Sequence, residues 1–238
     1  MNNTYIVLIS LSVFVVLAFI LARRLRPEKI FKRLGAHRVL KSGEYFGILD
    51  KLRSVAKEQR LPAPSLWVID DFSPNILMLR RGKKLELGFS QGLVSLLNER
   101  ELDLIVRMAM VHGWSRGRSL HSFWGALVSP VVSRFARMPL SLKILLFPVL
   151  FFLVRLPMNR RSVFYHDQVL AQSIQARQEI AALLQKIAVM QDKIPPRHWN
   201  LAFDSLYLVP PWGSETHFFG MFLRWPSVLE RRERLLGQ

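Results

Sequence analysis

Residues 91–112 read QGLVSLLNERELDLIVRMAMVH, and the placement of their apolar side chains decides the fold class. Leu93, Leu96 and Leu97 form one face of a helix. Leu102, Ile105, Val106 and Ala109 resume the three- and four-residue spacing after a turn at Asn98-Glu99. Working outward from this helical section, Leu61-Pro62-Ala63-Pro64 punctuates the chain, because a residue before proline is biased away from helix. Leu66 to Ile69 then reads as a short strand closed by Asp70-Asp71, Ile76 to Leu79 as a second, Arg80 to Lys84 as a turn and Leu85 to Phe89 as a third strand. On the other side, helical spacing returns from Ser162 to Met190 and stops at Pro195-Pro196. Residues 199–220 read as a packed loop, and Pro226 to Leu236 as a final charged helix. A small sheet followed by helices predicts an α+β fold, predominantly α.

Composition narrows the function. The 238 residues carry 34 Lys and Arg against 17 Asp and Glu, a formal charge of +17, with half the residues hydrophobic. So much apolar content excludes a disordered basic tail as the whole chain. The absence of Cys excludes disulfides, thiol catalysis and thiolate zinc sites. Basic and apolar together leave a nucleic-acid binder with a large core, or a protein held at an anionic membrane. No zinc-finger spacing and no aromatic single-strand-binding pattern accompanies the charge, so no nucleic-acid partner is expected.

The run Tyr5 to Ala22 holds 18 residues without a formal charge, about 27 Å as a helix, and Arg23, Arg24 and Arg26 follow it. This predicts an uncleaved N-terminal transmembrane helix over 1–22. Residues 23–60 carry 12 Lys or Arg against four acids. Positive flanks stay inside, so the expected state is an integral inner (plasma) membrane protein, N-terminus outside and main domain cytoplasmic, with membrane lipids as partners. Residues 23–61 then form a basic juxtamembrane connector and helix. Residues 123–156 form a hydrophobic insert, read as a second membrane segment, a hairpin or a buried helical pair.

Ser73-Pro74-Asn75, Gly92-Leu93-Val94-Ser95-Leu96-Leu97, Arg100-Glu101-Leu102, and Trp225-Pro226-Ser227-Val228-Leu229-Glu230-Arg231-Arg232 follow one another in that order. With the hydrophobic insert between them, residues 62–236 resemble the HtpX-type membrane zinc metallopeptidases, relatives of the CAAX prenyl proteases. The resemblance implies a zincin-like domain over 62–236. In such a peptidase an HExxH helix sets two imidazoles on one face, the adjacent Glu takes a proton from zinc-bound water, and a distant Glu completes the ligand set. Carried over, the first His is Met108, the general-base Glu is Ala109, and the second His survives as His112. The distant Glu is Val163, while the Asp four residues on is kept as Asp167.

Two of three ligands and the base are therefore replaced, and no cofactor is expected. The alternative is zinc at a relocated site of His112, His166 and Asp167. Against that alternative stands a simple polar pair of His112 with Asp167 or backbone. Asn75 marks either an ordinary Pro-Asn turn or a peptide groove that outlasts catalysis. Ser115, Ser119 and Ser122 show no triad organisation, and Arg80, Arg81, Lys83 and Lys84 read as a solvated or lipid-facing basic turn. The expected function is a membrane-anchored, peptidase-like protein that binds a membrane-associated protein or peptide without hydrolysing it. Its rival is a membrane zinc metalloendopeptidase with a rearranged site, hydrolysing peptide bonds in membrane-associated proteins.

Overall fold

Alternation along three strands organises the molecule. The computed structural model describes Tyr5, Ser12 and residues 27–40, 43, 45–115, 117–135, 137–139, 141–142, 146–148, 160–197, 201–209 and 226–237. In chain order its elements are α1 (Pro27–Arg33), β1 (His37–Arg38), α2 (Phe46–Glu58), β2 (Ser65–Ile69), β3 (Ile76–Arg81), β4 (Lys84–Ser90), α3 (Gln91–Leu96), α4 (Glu99–Gly113) and α5 (Arg118–Phe135). Then come α6 (Arg160–Leu170), α7 (Ile174–Lys193), a 3-10 turn (Leu201–Leu206) and α8 (Val228–Leu236).

The sheet order is β1-β2-β4-β3. The β3–β4 hairpin is antiparallel, and β4 runs parallel to β2, with Leu66 opposite Leu87 and Val68 opposite Phe89. Leu66, Ile76, Met78, Leu85, Leu87 and Phe89 enter one core with residues of α2, α4, α7 and α8. Trp67, Ile69, Leu77 and Leu79 point to the opposite face and pack with Ile30 and Phe31 of α1, Ala126 of α5 and the 3-10 turn. The period of two thus divides the side chains between two helical layers, which is why β2 and β3 are apolar on both faces. Phe31 stacks on Trp67, ring centroids 5.2 Å apart, and the Trp67 indole donates to Glu86 at 2.9 Å. Burial raises the Glu86 pKa, and that hydrogen bond holds it back.

The helical stretches read on either side of Asn98-Glu99 are α3 and α4. Asn98 Oδ1 accepts from the Glu101 amide and Glu101 Oε2 from the Asn98 amide, both at 2.9 Å, so α4 starts with a reciprocal cap. Position 92, in the first turn of α3, requires glycine because a Cβ there would lie 1.8 Å from the Phe72 carbonyl oxygen. Ser227 and Glu230 cap α8 in the same reciprocal manner.

A mixed α+β, mostly helical fold is what the structure supports. The expected transmembrane architecture requires correction. Among the described residues no helix is long and apolar enough to cross a membrane. The described residues thus give no support to the expected membrane anchoring, membrane-lipid partners or inner-membrane location. The run 5–22 lies outside the described residues apart from Tyr5 and Ser12. Much of the expected second greasy segment belongs to α5, which packs on protein. Ala126, Val128 and Val132 are buried, and Gly125 is pressed so close that a Cβ would lie 2.6 Å from the Ala202 carbonyl oxygen. Residues 136, 140, 143–145 and 149–156 of that stretch lie outside the described residues.

Candidate functional site

The end of α4 meets α6, α8 and the start of α5 in a junction of buried charged groups. His112, in the last turn of α4, is 2% exposed. Its Nε2 lies 2.9 Å from Asp167 Oδ1 on α6. Arg231 on α8 is wholly buried and grips the same carboxylate with two N–H groups, Nε to Oδ2 at 2.7 Å and Nη2 to Oδ1 at 2.8 Å. Its Nη1 donates to the Leu208 carbonyl at 2.7 Å, tying the 3-10 turn's exit to the junction. Arg118, the first residue of α5, is buried as well. Its Nε donates to the His112 carbonyl at 3.2 Å and its Nη1 to the Ser205 carbonyl at 2.8 Å.

Burial pushes the Asp167 carboxyl up, but the Arg231 charge and the hydrogen bonds from His112 and Arg231 prevail and hold it well below the usual carboxylate range. Asp167 is therefore ionised and can only accept. Burial pushes the His112 imidazole down to about 4 against the opposing pull of Asp167. The ring is neutral near pH 7 and donates from Nε2. Burial, helped by the Arg231 charge, lowers Arg118 to about 10, so it stays a cation.

His112, Val163 and His166 line one cavity, and His112 pairs with Asp167. Met108, Ala109 and Val163 are all buried, with Met108 and Ala109 in the apolar core. His166 has its ring centroid 5.4 Å from that of His112, and its Nδ1 faces the Ser162 carbonyl one turn back. A carbonyl only accepts, so that nitrogen carries the proton, and burial lowers the His166 pKa. His112, His166 and Asp167 thus share one neighbourhood, but Arg231 and His112 already bond both oxygens of Asp167. Zinc does not fit these residues: Ala and Val offer no donor, a thioether is a poor ligand, and a guanidinium occupies the carboxylate. Among the described residues no three His, Asp or Glu side chains are placed to hold a metal ion.

A cavity of about 710 Å³ opens beside the junction, lined by His112, His121, His166, Arg118, Ser115 and Ser162 among others. Asn75 lies elsewhere, at the outer edge of β3. Its amide donates to the Val209 carbonyl at 2.7 Å and accepts from the Val209 amide at 3.3 Å, as a strand's backbone would. Leu208 N donates to the Ile76 carbonyl at 3.0 Å, and Leu77 bridges Tyr207. At the other end of β3, Ser122 Oγ accepts from the Arg80 amide at 2.9 Å. The chain's own residues cover that edge.

Sequence reasoning missed three arginines. Arg231 occupies the face of α8 that carries Val228 and Leu235, and a charge on an apolar face signals a buried partner. Arg118 had no such signal. Arg80, expected in a solvated turn, instead belongs to β3 and donates to the Trp114 and Ser115 carbonyls at 2.7 and 3.0 Å, closing the end of α4.

A protease HtpX homolog of Thermococcus sibiricus is 22% identical over 221 residues, spanning 83% of this chain and 75% of that protein. The homology to an HtpX-family peptidase is weak and partial. No family model matches the chain, and no solved structure matches it.

Proposed function

We propose that this chain is a degenerate relative of the HtpX-type peptidases that has lost zinc-dependent hydrolysis and keeps its former catalytic cleft for binding. The observation that carries this reading is the Arg231–Asp167–His112 junction. In it His112 Nε2 donates to a carboxylate that Arg231 holds, so that nitrogen has no lone pair left for a metal. Met108, Ala109 and Val163 fill the remaining positions with groups that neither bind Zn²⁺ well nor take a proton from water. The sequence likeness supports the ancestry, and the 710 Å³ cavity beside His112 supplies the space for a ligand.

Elemental analysis of the purified full chain, paired with mass spectrometry of an unbiased peptide library incubated with it, tests the reading. The expected result is zinc far below one per chain and an intact library. Near-stoichiometric zinc, with cleavage abolished by His112→Ala, overturns it.

A further inference from the structure

We infer that the exposed apolar face of α5 is the docking site of the chain's own N-terminal run, Tyr5 to Ala22, laid antiparallel along it as a second helix. Ala126, Val128 and Val132 of α5 turn inward to the cores, whereas Leu120, Phe123 and Val131 are 59%, 37% and 51% exposed. With the partly buried Leu127 they recur every three or four residues, a stripe one side chain wide. A stripe that narrow matches the seam between two packed helices. α5 carries no Asp or Glu, and Arg134 stands at the far end of the stripe, so the face selects an apolar partner.

Reach and length single out the occupant. Pro27 and Ile30 line a small pocket together with Ser119, Phe123 and Ala126, so the chain enters α1 beside the first half of α5. Only Arg23 to Arg26 separate Pro27 from the run, a gap of at most about 18 Å. A tether that short holds the run at an effective concentration on the order of millimolar, which a separate partner does not match. α5 and the run are each 18 residues, about 27 Å as helices. Between Phe123 and the start of α5 at Arg118 there is too little helix to cover, whereas Leu127 and Val131 lie the other way, so the earlier residues of the run point toward Phe135. Tyr5 and Ser12 are helical and exposed, and seven positions apart they share a face. On helical spacing the opposite face is Val7, Leu11, Phe14, Ala18 and Leu21, all apolar, in alternating steps of four and three. It is the complement of the stripe on α5.

The chain has no Cys, so paired Cys variants report this contact without background. The full chain is oxidised with copper–phenanthroline inside the cells that express it, and the disulfides are mapped by mass spectrometry. Because a disulfide needs Cβ atoms about 4 Å apart, Val131→Cys should link to the better of Phe14→Cys and Ala18→Cys at least about five-fold more than to Ser12→Cys or Val16→Cys. Phe123→Cys should prefer Leu21→Cys over Val7→Cys, which fixes the direction. Should Phe123→Cys fail to fold, the more exposed Leu120→Cys takes its place. Val189→Cys on α7, a helix that packs in the other core, should link to none of these positions. Equal yields along the run, the reversed order, or yields no higher than those of Val189→Cys overturn the inference. So do disulfide-linked dimers in place of links within one chain, since they would give the α5 face to a second copy. Metal content and peptide cleavage play no part in this test, so its outcome leaves the proposed function untouched.

Discussion

The outer and inner faces of α4 carry the same kind of interaction in opposite surroundings. Outside, Arg107 donates to Asp103 one turn back and to Glu58 of α2, both at 3.0 Å, with all three side chains more than a third exposed. Inside, His112, Asp167 and Arg231 pair at 2.7–2.9 Å with at most 2% of any side chain in contact with solvent. Water screens the outer set, so any one member is dispensable. In the inner set each group was stripped of water on folding and depends on its partners, so losing one leaves the others buried and unmatched. The distances are alike, and burial sets the consequence.

The comparison is tested most severely by Arg231→Met, which should cost about 3–5 kcal/mol in chemical denaturation by stranding the Asp167 charge. The double variant Arg231→Met with Asp167→Leu should recover most of that loss. A single-variant cost below about 1 kcal/mol would place the two faces of α4 in one class. Acid comes next. His112 titrates near 4 when folded against 6.5 ordinarily, so between those values the unfolded chain binds the extra proton. Stability should therefore fall by up to about 3 kcal/mol as pH drops from 6.5 to 4. Asp167, whose folded pKa is depressed, adds its own loss only as pH falls below its ordinary 3.8. A His112→Asn variant should flatten the upper part of the profile, and an unchanged profile would refute the assignment. Arg107→Ala should cost less than about 1 kcal/mol, and half-molar salt should erase the difference. Arg60→Gly is smallest of all. Arg60 sits at φ 55° just past α2, where glycine rests without strain, so the melting midpoint should hold or rise by a degree or two.

The strands were legible because each puts residues of one parity on one face: Ile76 and Met78 in one core, Leu77 and Leu79 in the other. The break at Asn98 was legible because its residue type ends one helix and starts the next. The parallel partnership of β2 with β4 was hidden, since a strand apolar on both faces says nothing of its neighbours. Residues 123–135, read as a membrane segment, a hairpin or a buried helical pair, could not be assigned to one of these from sequence for a related reason. Hydropathy reports that a segment avoids water, and a protein core answers that need as well as a bilayer does. At the site, the family resemblance carried His112 and Asp167 to the same place, whereas Arg231, 64 residues beyond Asp167, could be joined to it only by the packing of α6 against α8.

Each end of the sheet is blunt. At one end β1 offers only His37 and Arg38, too short a rung to seed another chain. At the other, the clasp of the Asn75 amide on Val209 and the Ser122 hydroxyl on Arg80 leave few donors or acceptors for a stranger's backbone. Strands as greasy as Ile76–Leu79 and Leu85–Phe89 are the kind that stack into fibrils when exposed. Covering that margin with its own loop guards against such stacking, and Asn75→Ala should show itself first as light scattering on warming.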